Sequence, residues 1–77
     1  GYEVLSALLE VYTNAVEALF NNSVSNYDKL ILQSLPKTIQ TGEGSLYIRL
    51  LNVCHYVSLL SDSKAILGYR KIKGVSF

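Results

Sequence analysis

Apolar residues recur along the first twenty positions at helical spacing. Val4, Leu8, Val11, Ala15 and Leu19 form a stripe flanked by Leu5, Tyr12, Val16 and Phe20, while Glu3, Ser6, Glu10, Thr13, Glu17 and Asn21 occupy the opposite side. The pattern predicts an amphipathic helix from Tyr2 to about Asn21. Asn21, Asn22, Ser23 and Ser25 then supply turn chemistry. Asn26 is the expected cap of a short helix carrying Tyr27, Leu30, Ile31 and Leu35, ended by Pro36 because the residue before proline is pushed out of the α region.

From Lys37 to Gly44 there are two glycines and no periodic apolar face, which predicts an exposed loop. Ser45 or Gly44 opens a third helix whose seam is Leu46, Leu50, Val53, Val57 and Leu60, with Tyr47, Leu51 and Cys54 beside it. Ser61 or Asp62 is the expected N-cap of a last helix defined by Ala65, Ile66, Tyr69 and Ile72 and closed by Gly74. The fold class is therefore all-α, a small bundle of about four helices. No internal repeat and no sustained strand alternation interrupts it.

Composition adds constraints. A chain of 77 residues makes one domain at most and buries only about 60% of the surface its unfolded form exposes. Its 49% apolar content exceeds what a lone helical hairpin covers, which points to a compact core together with a docking face. Seven basic and six acidic residues leave a net charge of +1, so no whole-chain field favours nucleic acid or an anionic membrane. The longest apolar stretch, Leu46 to Leu60, is broken by Arg49, Asn52 and His55 and is too short to span a bilayer. With no leader pattern and a single cysteine, Cys54, a soluble cytoplasmic setting is expected. The chain lacks methionine and opens straight into helical periodicity, as a piece of a longer protein would.

Candidate chemistry is sparse. His55 and Cys54 are sequence neighbours and point about 100° apart on a helix, so they form neither a dyad nor a chelate. His55 reads as a partly exposed helix residue and Cys54 as part of the apolar seam. Glu3, Glu10 and Glu17 share one face, but successive backbones lie about 10 Å apart, long for a paired acid and base. Gly42 and Gly44 lack the lysine and preceding strand of a phosphate loop. Lys64, Arg70, Lys71 and Lys73 gather around Tyr69; they either complement the helix dipole or meet an anionic partner.

One segment is recognisable. His55-Tyr56-Val57-Ser58-Leu59-Leu60-Ser61-Asp62-Ser63-Lys64-Ala65, followed by Gly68-Tyr69-Arg70-Lys71-Ile72-Lys73-Gly74, resembles the closing motif of the bacterial dGTPase family within the HD superfamily. That motif reads Asp-Tyr-aliphatic-x-Gly-Met-Thr-Asp-x-Tyr-Ala, then a tyrosine and a basic helix end. Tyr56, Val57, Asp62, Ala65, Tyr69, Lys71 and Gly74 match it in register, whereas His55, Leu59, Leu60, Ser61 and Lys64 depart from it. The upstream order of a long amphipathic helix, a segment ending at Leu35-Pro36, and Tyr47-Ile48-Arg49-Leu50-Leu51 is similar to the same tail.

The resemblance implies that residues 1–77 are the C-terminal helical subdomain of a deoxynucleoside triphosphate triphosphohydrolase. Such an enzyme converts a dNTP, here with dGTP as the expected substrate, to deoxynucleoside and triphosphate. It uses a divalent metal such as Mg or Mn, held by His and Asp ligands that would lie before Gly1. The implied partners are that upstream HD catalytic region, the dNTP substrate of the parent and a second copy in a homo-oligomer; neither a membrane nor nucleic acid is among them. The segment itself carries no catalytic residue and no metal ligand under this reading, and Tyr56 and Asp62 become its substrate-pocket candidates. The alternative is a free-standing helical module that binds partner proteins through an exposed apolar face.

Overall fold

A computed structural model describes residues 2–40 and 44–75. Within them run five helices: α1 Tyr2–Phe20, α2 Asn26–Gln33, α3 Lys37–Gln40, α4 Leu46–Ser58 and α5 Asp62–Val75. No strand occurs among the described residues. The long α1 is the central member and packs against α2, α4 and α5, while the short α3 bridges α2 and α4.

Local chemistry explains where each helix stops and starts. Asn22 takes a left-handed backbone with φ of 55°, and the amides of Asn22 and Ser23 return to the carbonyls of Leu19 and Ala18 at 3.2 and 2.8 Å. That pair of bonds satisfies carbonyls the end of α1 would otherwise leave bare. The cap of α2 is Ser25, not Asn26. Its hydroxyl accepts from the Asp28 amide while the Asp28 carboxylate accepts from the Ser25 amide, both at 3.1 Å. This reciprocal box satisfies two amides at once, which Asn26 has no matching residue to do, and such a cap contributes about 1 kcal/mol.

The stretch after Pro36 is not simply a loop. Pro36 ends α2 as expected, but its carbonyl accepts from the amides of Ile39 and Gln40, both at 3.0 Å, and so starts the single turn of α3. Gln40 ties that turn back through its side-chain amide to the carbonyls of Leu35 and Gln33. Ile39 is buried, and this one anchor sets the turn against the core. Thr41, Gly42 and Glu43, the rest of the expected loop, lie outside the described residues. Gly44 has φ of 92°, a backbone only glycine adopts without strain, and it delivers the chain to Ser45, whose hydroxyl caps α4 through the Ile48 amide. Arg49, read from sequence as a polar interruption, donates from Nε to the Gly44 carbonyl at 3.1 Å and stands 5.0 Å from the centre of the Phe20 ring.

The core is built from Leu8, Tyr12, Ala15 and Val16 of α1, Ile31 and Leu32 of α2, then Leu35, Ile39, Val53, Val57, Ala65 and Ile72. Leu8, Val16 and Val53 are its largest fully enclosed side chains. The centre of the α1 stripe thus runs through Tyr12 and Val16, with Val4, Val11 and Leu19 on its edges. In α4 the seam centres on Val53 and Val57, one helical turn apart, and Leu50 and Leu60 flank it half-buried. Cys54 is exposed, correcting the seam expected from sequence: one residue on from Val53, it is rotated about 100° away from the core. Tyr47 and Leu51 face outward with it.

Candidate functional site

The described surface is indented by a groove of about 510 Å³ whose sides come from α2 and α5 and whose floor comes from α1 and α4. Leu30, Ile31 and Ser34 form one side, and Lys64, Leu67, Gly68, Lys71, Ile72 and Gly74 the other. Tyr12, Tyr56 and Leu60 lie between them. The volume and mostly apolar lining with a few polar groups match what small-molecule pockets generally show. Gly68 makes the floor reachable. A Cβ there would sit 3.3 Å from the Tyr12 hydroxyl and 3.5 Å from Leu8 Cδ2, so its absence lets α5 approach α1.

Tyr12 and Tyr56 meet with ring centroids 6.3 Å apart and planes inclined at 52°, an edge-tilted pair of the kind aromatic quadrupoles favour. Burial pushes the Tyr12 phenol above its ordinary value, and the neighbouring Tyr56 adds to the rise. A side-chain hydrogen bond with Ser34 works against them. The sign for stability follows directly. Below about pH 10 both folded and unfolded phenols are neutral and the shift has no effect. Above it the unfolded phenol ionises first, so stability falls as pH rises through the folded value. Replacing Tyr12 by Phe should flatten that alkaline decline, as seen in urea midpoints between about pH 8 and about pH 11; an unchanged slope would mean that Tyr12 titrates as freely as an exposed tyrosine.

Of the two residues nominated through the resemblance, Tyr56 is half-buried and lines the groove, whereas Asp62 is exposed and does not. Asp62 is the first residue of α5. Of the two expected caps, Ser61 takes the role: its hydroxyl accepts from the Lys64 amide at 3.3 Å and its carbonyl accepts from the Ala65 amide. A carboxylate one residue inside the helix cannot turn back onto those amides in the same way, but its charge still favours the positive end of the dipole. Gly74 does not close α5 either. The helix runs to Val75, and Gly74 contributes to the groove wall.

The basic cluster of α5 divides. Lys64 and Lys71, seven residues apart, share the groove face. Arg70 and Lys73 lie away from it, Lys73 with its ammonium 5.4 Å from the centre of the Tyr69 ring. A continuous basic stripe of the kind that tracks a nucleic-acid backbone is therefore not assembled on this helix. His55 is exposed and sits at a smaller depression with Pro36, Thr38, Ile39, Asn52, Tyr56 and Leu59.

Sequence reasoning did not single out Tyr12, Leu30, Ser34 or Gly68 as site residues. Gly68 alone left a trace, since a glycine inside a helix costs about 1 kcal/mol relative to alanine and implies a reason for its presence. Among the described residues no group of three or more His, Cys, Asp or Glu side chains is placed to hold a metal ion. No helix among them is long and apolar enough to cross a membrane. Comparison of the chain with protein-family models, curated proteins and solved structures finds no match.

Proposed function

We propose that this chain is the C-terminal helical subdomain of a cytoplasmic deoxynucleoside triphosphate triphosphohydrolase, and that it forms part of the wall around a catalytic bundle supplied by upstream residues. One observation carries the reading. The segment resembling the family's closing motif folds as a single helix–turn–helix in which matched positions take complementary places: Val57 and Ala65 enter the core, while Tyr56, Lys71 and Gly74 line the groove. Tyr56 is the residue best placed to meet a ligand, and Asp62 supports the start of α5.

The described residues do not suit the metal such an enzyme needs. The metal would supply Lewis acidity and an activated water from ligands elsewhere in the longer protein, and no step of hydrolysis is assigned to this segment. With dGTP and magnesium or manganese, the 77-residue chain should release no triphosphate, while the product of the longer reading frame should release it. Metal-dependent turnover by the chain alone would overturn the proposal. So would an upstream sequence without a His-Asp pair.

A second reading, a free-standing helical interaction module, draws support from Tyr47 and Leu51, 70% and 46% exposed and one turn apart on α4. Apolar side chains left in water on a helix face suit a partner helix. The same upstream sequence separates the two readings.

A further inference from the structure

The groove between α2 and α5 has a chemical asymmetry that neither functional reading uses. Its lips are apolar and stand in water: Leu30 is 51% exposed on one side and Leu67 56% on the other. Its charges have one sign. Lys64 and Lys71 are the only ionisable side chains besides the two tyrosines in the lining, and both stand on the α5 rim. Neither ammonium has an ion-pair partner among the described residues. Lysine stems lie along apolar surface while the head stays in water, so two cations are held at the edge of an apolar trough with no carboxylate to neutralise them.

Shape narrows the occupant further. From Lys64 to Gly74 the lining residues of α5 span about 15 Å along the helix axis. The Tyr12 and Tyr56 rings are inclined at 52° and so make no parallel slot for a planar ring system. Arg70 and Lys73 face elsewhere, which removes the extended basic track a polyanion would need. An apolar trough of this length with cations along one lip is complementary to a flexible apolar chain ending in an anion.

We infer that the groove binds a small single-chain amphipathic anion, a medium-chain carboxylate, with its hydrocarbon tail between Leu30, Ile31, Leu60 and Leu67 and its head at Lys64 or Lys71. The inference stands on the groove alone and does not depend on the hydrolase reading. Ser34 on the α2 side and the Tyr12 hydroxyl between the sides offer polar contacts for a bound water, but the anion is recognised at the rim.

Titrating the chain with dodecanoate below its micellar range, followed by amide NMR, tests this. Saturable one-to-one binding is expected, with the largest shifts at Leu30, Gly68 and Lys71. Lys64→Gln combined with Lys71→Gln should weaken dodecanoate at least about threefold while leaving uncharged dodecanol unchanged. Leu30→Trp, at an exposed lip where it need not disturb folding, should weaken both. Equal affinity of wild type and the double-lysine variant for dodecanoate would overturn the proposal, as would shifts centred on Tyr47 and Leu51, or binding accompanied by loss of helical ellipticity. Dodecanoate bound by the 77-residue chain but excluded from the longer protein would also overturn it, because the natural occupant would then be a protein segment.

Discussion

Leu8→Ala should unfold or nearly unfold the chain. Leu8 is fully enclosed, and its Cδ2 lies 3.5 Å from where a Cβ on Gly68 would stand, so truncation removes a side chain from the close contact between α1 and α5. Deleting an enclosed leucine costs about 2 to 5 kcal/mol through lost transfer energy and the cavity left behind. Domains hold roughly 0.05 to 0.15 kcal/mol per residue, and small ones sit at the marginal end, so that loss takes much or all of the available stability. Leu51→Ala is the matched control. It is the same chemical change on the outward face of α4, where the side chain is 46% exposed, and it should move the urea midpoint little. Comparable losses for the two would mean that the buried face of the bundle has been misassigned. In a longer protein the control gains a second use: if Leu51 becomes costly there, the outer face of α4 is covered by the rest of that protein.

The same contrast shows what periodicity reveals and what it hides. The stripe containing Leu8 was legible because α1 repeats apolar residues for five turns, and the all-α class followed from two such helices. Its exact orientation was not, since Val11, Tyr12, Ala15 and Val16 crowd one side and only the positions of α4 and α5 decide which of them is innermost. Cys54 shows the error this allows. An apolar residue beside a seam reads as part of it, but a 100° rotation is enough to leave it in water. The turn of α3 was hidden for a different reason: four residues with one apolar anchor carry no period, and its start depends on the Pro36 carbonyl rather than on a side chain.

The candidate site was less legible than the fold. Tyr56 was nominated from a motif and does line the groove, but Tyr12 looked like one more member of an apolar flank. The groove lies where α2 and α5, separated by almost thirty residues of sequence, meet beside α1 and α4. No local pattern encodes that arrangement. The choice of Ser61 over Asp62 as the α5 cap is a subtler case, because both residue types cap helices and one step of register decides between them.

Gly68 offers the sharpest test of how α5 is seated, through a pair of substitutions that separate helix propensity from packing. Alanine and leucine gain a similar amount over glycine inside a helix, about 0.8 to 1 kcal/mol, so any difference between the two variants reports the space available. A single Cβ meets the Tyr12 hydroxyl at 3.3 Å and Leu8 Cδ2 at 3.5 Å, a tight fit to which the phenol, tilted against Tyr56, must yield by a few tenths of an ångström. Gly68→Ala should therefore come out within about 1 kcal/mol of wild type, the propensity gain offset by crowding. Gly68→Leu has no such balance. Its extra atoms enter the α1–α5 contact itself, and overpacking of this kind costs about 1 to 3 kcal/mol or forces the helices apart. Removing the closest obstacle should release the propensity gain: in a Tyr12→Phe background, Gly68→Ala should be stabilising, and the coupling between the two positions should appear as a non-additive difference in their denaturation free energies. If Gly68→Leu proved as stable as Gly68→Ala, α5 would not be seated against α1 at this residue, and the groove beside it would not have the floor described.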